Sequence, residues 1–397
     1  MKKELIKDNY YEAINGDWLE TAEIPADQPQ MSAFLELHLD IEKLLMDLAA
    51  KWSKDQTGLN KNLLKFVKLH EMTKDFETRD KLGSTPLQPI IERIKALKSL
   101  KDFEKNAKEM LLDGISTPFG YYVMQDFMNS NNQVLYFGAT DLFLPDTSYY
   151  QDPATKEQLM GLFKMTTSQI LQLYGLDPEK ANEILEKAIA FDELLVPVTK
   201  SSVERADYVK MYNPMDKDEV ISKTTTFNLM KLAESLVGVE VDKLIVTNPD
   251  FINKFDEIIN EENFELIKSW MLVSNITSFS SLLTEPLRVA SGAFMRALSG
   301  VAEPQAQDKF AFYQAYDRLS QVVGLYYGET YFGPEAKKDV ENMVNEVINV
   351  YKERLEKNTW LNKDTKAKAI LKLNKISVQI GYPEELPQYF DKYEVGS

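Results

Sequence analysis

The 397-residue sequence has no cysteine and only two histidines. Without cysteine there is no disulfide framework, no thiolate nucleophile and no thiolate metal ligand. With His38 and His70 as the only imidazoles, the usual nitrogen ligands of zinc and the commonest general base are both scarce. No stretch approaches the roughly 18 apolar residues that a membrane-spanning helix needs. Gly/Ser-rich linkers, low-complexity tracts and fixed-period repeats are also missing, so any domain boundary lies inside a continuously packed chain.

Positive charge is in short supply. There are 46 Lys and Arg against 62 Asp and Glu, a formal net charge of −16. A surface that acidic repels nucleic-acid phosphate, and no basic stripe interleaved with aromatics offsets it. Anionic membrane surfaces are disfavoured for the same reason. The start, MKKELIKDNYYEAINGDW, has a basic pair but no apolar core and no small-residue cleavage site, so it does not read as a secretory signal. Together with the lack of cysteine, this leads to the expectation of a cytoplasmic protein.

What is present is the composition of an ordinary globular protein, 44% apolar and 27% charged. The length fits two or three domains. Helical periodicity dominates. Phe34, Leu37, Ile41, Leu44, Leu45, Leu48 and Trp52 form one face of a long helix, and Leu59, Leu63, Phe66 and Val67 begin a second. Asp152-Pro153 and Asp177-Pro178 each set a capping residue before a proline, opening helices predicted over 155–173 and 179–195. A further stripe, Val340, Met343, Val344, Val347, Ile348, Tyr351 and Leu355, follows Gly333-Pro334. The β-branched and aromatic runs at 120–125 and 133–137 flank Asn129-Ser-Asn-Asn132 and predict a hairpin.

Motifs that carry chemistry fail one by one. His70-Glu71 begins the zinc pattern H-E-x-x-H, but Lys74 occupies the position one turn on, where a second imidazole must stand. His70 lies on the apolar stripe of its helix and reads as a packed histidine satisfied by a hydrogen bond; His38, beside its own stripe, reads the same way. Gly328 to Gly333 has phosphate-loop glycine spacing, yet Pro334-Glu335 replaces the required Lys-Ser/Thr, so it reads as a turn before a helix. Charge runs such as Glu261-Glu262 read as solvated faces.

Several ordered stretches resemble one family, the zinc metallopeptidases of the neprilysin and endothelin-converting-enzyme type, which include bacterial endopeptidase O. Asp8-Asn-Tyr-Tyr-Glu-Ala-Ile-Asn-Gly-Asp-Trp18 with Ile24-Pro25 is similar to the family's opening D-x-F/Y-x-x-x-x-x-G-x-W and its I-P. Leu142-Phe-Leu-Pro-Asp-Thr-Ser-Tyr-Tyr150, Tyr212-Asn-Pro-Met215, Phe294-Met-Arg-Ala-Leu298, Gly324-Leu-Tyr-Tyr327 and Trp360 to Ala369, then Ile380-Gly-Tyr-Pro383, follow in the family order. The resemblance covers essentially the whole chain.

It implies a mostly α fold: a large multi-helix lid domain with a small β-hairpin, plus terminal segments that pack on a thermolysin-like catalytic domain. The expected division is 1–40 as an N-terminal segment packing on the catalytic domain, 41–345 as the lid, and 346–397 as helices returning toward it. The family's N-A-F/Y motif, its H-E-x-x-H zinc site and its third ligand all follow the G-Y-P segment. The resemblance therefore implies zinc in the full-length parent, with ligands and catalytic residues outside this chain, oligopeptide substrates, and no activity for the chain alone. The face left by a missing partner should be unusually apolar. Family members also contact substrate through a segment resembling S-R-Y-G-N-F-D-I-L-R. Aligned on Phe34, this sequence carries Gln30 at the first Arg, Leu35 at the Asp and His38 at the last Arg, making Gln30 and His38 its candidate substrate-binding residues. The alternative reading is a naturally short, non-catalytic helical protein that binds peptides or a partner.

Overall fold

Short polar side chains decide where most helices begin. Ser32 accepts from the Leu35 N–H, Asn60 from those of Asn62 and Leu63, Asp152 from Thr155, Asp177 from Glu179 and Asn362 from Thr365. Each cap satisfies an N–H group that the helix itself leaves unbonded and contributes about 1 kcal/mol. The helices opened at the two Asp-Pro pairs run Pro153–Tyr174 and Pro178–Leu195. The computed structural model describes residues 1–396, which form two compact units. One is continuous, Phe76–Pro304; the other combines Met1–Asp75 with the chain from Gln305 onward. Among the described residues, no helix is long and apolar enough to cross a membrane.

In the continuous unit the hairpin is present and larger than the sequence suggested. Strands β1 (Phe119–Gln125) and β2 (Gln133–Ala139) pair antiparallel, Phe119 opposite Ala139 and Gln125 opposite Gln133. Two four-residue strands, β3 (Asn213–Asp216) and β4 (Lys243–Val246), extend it to a sheet of order β1-β2-β4-β3, with β2 and β4 parallel. One face buries Phe119 and Phe137 among Phe103, Phe227, Phe251 and Phe255, with ring centroids 5.1–6.1 Å apart. The helix Phe264–Ser280 is buried on nearly every side and packs against Pro153–Tyr174 and Pro178–Leu195. Its one internal amide, Asn275, is fully buried and satisfied by the N–H and C=O of Ser116 and the Met271 carbonyl. Glu261, expected only to face water, accepts the Leu100 N–H at 2.9 Å at the start of the helix Leu100–Leu112.

The other unit is built on the helices Ala33–Lys54, Lys61–Lys74 and Gln307–Tyr327. Leu45, Leu48, Trp52, Leu63, Phe66, Val67, Phe312, Leu319 and Val323 form its core. Trp52 stands edge-on to Phe66 at 6.1 Å and to Tyr326 at 4.9 Å, a geometry worth about 0.5–1.5 kcal/mol per pair beyond the area buried. The stripe on the first helix is covered only in its second half; Phe34 at its start is 87% exposed.

The stretch Gly328–Phe332, expected as a turn, is instead a π-helical widening that carries Gln307–Tyr327 into Gly333–Lys357, with Gly333 at φ +79°. The Gly-Tyr-Pro segment lies against it. The Tyr382 ring of the Gly-Tyr-Pro segment occupies the space that a Cβ on Gly328 would need. Lys337 holds the same segment, donating to the Tyr382 carbonyl at 3.1 Å and to Glu384 at 2.5 Å. The helix Gly333–Lys357 then runs 25 residues without burying one of them, although it carries the apolar stripe read from the sequence.

Candidate functional site

Both candidate residues belong to the unit that holds the chain start. Gln30 lies, exposed, in the irregular segment before the Ser32 cap. His38 is on the first turns of Ala33–Lys54 and is also exposed rather than packed. Its Nε2 lies 3.1 Å from the Tyr313 hydroxyl. That hydroxyl spends its one proton on Glu42 Oε2 at 2.5 Å, so the imidazole donates from Nε2. Glu42 Oε1 in turn takes Lys309 Nζ at 3.0 Å, and Asp27 takes the same ammonium at 2.8 Å.

The result is a chain of polar groups, Asp27–Lys309–Glu42–Tyr313–His38, in which all but His38 are largely withdrawn from water. Burial pulls the Lys309 ammonium toward its neutral form, but the bonds to Asp27 and Glu42 outweigh it and hold its pKa above the ordinary value. Burial, with the Glu42 carboxylate next, pushes the Tyr313 phenol well above its usual range. Lys309 thus stays an ammonium between Asp27 and Glu42, and through Asp27 it pins the segment carrying Gln30 against two helices. The network contains no nucleophile paired with a free base. It is a hydrogen-bonded polar scaffold with one imidazole at its exposed edge.

Sequence reasoning missed Asp27, Glu42, Lys309 and Tyr313. A local trace existed: His38 and Glu42, and Lys309 and Tyr313, are each one helical turn apart and so share a face. Nothing local joins the two helices, whose residues Glu42 and Tyr313 are 271 positions apart.

Among the described residues no group of three or more His, Asp and Glu side chains is arranged to hold a metal ion. His70 is buried, stacked on Phe66 at 5.9 Å with Phe312 edge-on at 6.3 Å. It is packed as expected, but its Nδ1 has no hydrogen-bond partner, contrary to the reading of a satisfied ring. Burial, and then Lys74, holds it below the ordinary histidine pKa, so it is a neutral core ring. Glu71 is turned instead toward Ser53 and Lys74.

Comparison with known proteins gives these features a setting. The family model for peptidase family M13 matches residues 6–383. The neutral endopeptidase of Lactococcus lactis subsp. lactis is 38% identical over 394 residues, covering 99% of this chain and 62% of its own length. That of Lactobacillus helveticus is 36% identical, covering 98% and 60%. The crystal structure of PEPO from Lactobacillus rhamnosis HN001 superposes with a TM-score of 0.88 at 27% identity, over 97% of this chain and 61% of that one. The zinc metalloprotease ZMP1 of Mycobacterium tuberculosis shares the fold, with a TM-score of 0.84 at 23% identity, over 97% of this chain and 59% of that one. The chain thus spans about three fifths of the length of the relatives it matches. The mostly helical fold with its small sheet and the ordered motifs from Asp8 to Pro383 agree with that match, and the chain belongs to peptidase family M13.

Proposed function

We propose that this chain is the N-terminal, helical lid portion of a zinc-dependent metalloendopeptidase that hydrolyses oligopeptides. The observation that carries the reading is the helix Gly333–Lys357, whose apolar stripe has nothing buried, in a chain that spans 62% of a neutral endopeptidase. A stripe of that kind is stabilised by packing against another surface. In this reading the surface belongs to a catalytic portion outside the chain, on which 1–40 and 346–397 pack, while 41–345 forms the lid. The zinc ligands and catalytic residues sit in that portion. The chain alone then neither binds zinc stoichiometrically nor cleaves peptides. Gln30 and His38 are its substrate contacts, held in place by Asp27, Lys309, Glu42 and Tyr313. A cytoplasmic location completes the proposal, and cell fractionation tests it.

The deciding experiment is to read the parent open reading frame beyond Ser397. N-A-F/Y followed by H-E-x-x-H supports the proposal. A stop codon sinks it and leaves a non-catalytic protein that binds peptides or a partner. A zinc titration of the isolated chain gives an independent check, since tight one-to-one binding contradicts the placement of the ligands elsewhere. In the full-length enzyme, Gln30→Ala and His38→Ala should raise KM with little change in kcat.

A further inference from the structure

The two edges of the sheet in the continuous unit are treated differently. β3 is four residues long and carries Pro214 and Asp216, the short length, missing donor and charge that keep an edge from pairing. β1 has none of these. Its seven residues, Phe-Gly-Tyr-Tyr-Val-Met-Gln, hold no charge and no proline.

The ladder fixes which backbone groups remain. The Asp126 N–H bonds to the Asn132 carbonyl and the Thr140 N–H to the Pro118 carbonyl, so even-numbered residues of β1 turn their N–H and C=O toward β2. Those of Tyr121, Val123 and Gln125 point away from it, and no described residue takes them. Side chains beside this edge are also left open. Val123 is 58% and Met128 81% exposed, with Tyr122, Met124 and Phe127 at the same end of the hairpin. Tyr122 stacks on Tyr136 at 5.1 Å and the Tyr121 hydroxyl bonds to the Leu229 carbonyl, so the strand is held firmly from both faces.

We propose that the free edge of β1 captures an extended peptide of neutral or basic character, which adds as a fifth strand beside Tyr121, Val123 and Gln125. Only an extended backbone presents donors and acceptors at the alternate-residue spacing these groups require. The occupant's charge follows from the chain's: at −16, a second copy pairing edge to edge brings together two strongly like-charged bodies, whereas a neutral or basic peptide is accepted or attracted. Recognition through backbone groups leaves side-chain selectivity loose. The proposal uses neither Gln30 nor His38, and its test needs neither zinc nor catalysis, so it stands or falls apart from the proposed peptidase role.

The probe is a fluorescein-labelled nine-residue peptide of alternating Val and Thr with Lys at both ends. Its partner carries N-methyl groups at alternate residues, which remove the donors along one edge. Anisotropy with the full chain should show binding of the first peptide, weakened about tenfold or more in the second. Val123→Pro removes an outward N–H and should weaken the first peptide similarly, with the circular dichroism unchanged. If Val123→Pro disturbs folding, the N-methyl comparison decides alone. Equal affinity for both peptides, or no binding at millimolar concentration, overturns the proposal. A dimer in sedimentation that Val123→Pro dissolves also overturns it, in favour of a second copy.

Discussion

The Tyr150 hydroxyl donates a 2.5 Å hydrogen bond to Oδ2 of Asp192, a carboxyl with no exposed surface. Oδ1 accepts the Phe143 N–H at 2.8 Å, and the Tyr150 oxygen accepts that of Leu144 at 3.0 Å. The pair anchors the segment Leu142–Tyr150, one of the stretches that carries the family pattern.

Burial pushes the Asp192 pKa up to about 6, the bonds from Tyr150 and Phe143 offsetting part of the shift. The folded chain thus binds this proton more tightly than the unfolded chain. The stability tied to it is full below the ordinary carboxyl pKa of 3.8 and is lost as pH rises through 6, a loss of about 3 kcal/mol. Asp192→Asn should therefore gain stability relative to the parent as pH goes from 4 to 7. Urea unfolding across that range tests it, and parallel curves for the two proteins would contradict it.

Lys309 sits between Asp27 and Glu42 with little solvent around it. Lys309→Met leaves two carboxylates facing each other and should cost about 2–4 kcal/mol. Adding Glu42→Gln should recover part of that loss, giving a coupling of about 1 kcal/mol or more in a double-mutant cycle. Additive losses would mean that the two groups do not interact.

Gly328 and Gly324 lie one turn apart but differ in surroundings. A Cβ at Gly328 overlaps the Tyr382 ring, while one at Gly324 meets nothing within 4 Å. Gly328→Ala should destabilise by about 1–3 kcal/mol through overpacking. Gly324→Ala, inside a helix, should be neutral or stabilise by up to about 1 kcal/mol. Thermal melts of the two variants side by side distinguish the readings; equal shifts would remove the close approach from the account.

The uncovered stripe has its own test. Met343 and Val347 are more than half exposed on Gly333–Lys357. Converting both to Lys should leave the melting curve within about 0.5 kcal/mol, as surface changes do, while lowering self-association in sedimentation. A large drop in stability would place these side chains in a packed environment.

Local chemistry was legible in the sequence. The Asp-Pro pairs gave both helix starts to within two residues, because a cap and a proline act on the turn they sit in. The hairpin was legible because its two runs and their Asn-rich turn are contiguous. β3 and β4 were not: four-residue strands have too little pattern, and β4 finds β2 about a hundred residues away. The polar chain through Lys309 left only its two one-turn spacings in the sequence, because the helices it joins are 271 positions apart at Glu42 and Tyr313. The Gly-Tyr-Pro segment was legible only as a pattern; that its Tyr382 ring packs over Gly328 needed the structure.

The continuous unit Phe76–Pro304 interrupts the other in sequence. A chain made from its amino end therefore delivers Lys61–Lys74 long before Gln307–Tyr327, the helix that completes its core. The inserted unit can finish folding while the outer one still waits, with Phe66 and Trp52 lacking Phe312 and Tyr326. Chain order alone thus makes the helices Ala33–Lys54 and Lys61–Lys74 among the first to be made and the last to meet all their packing partners.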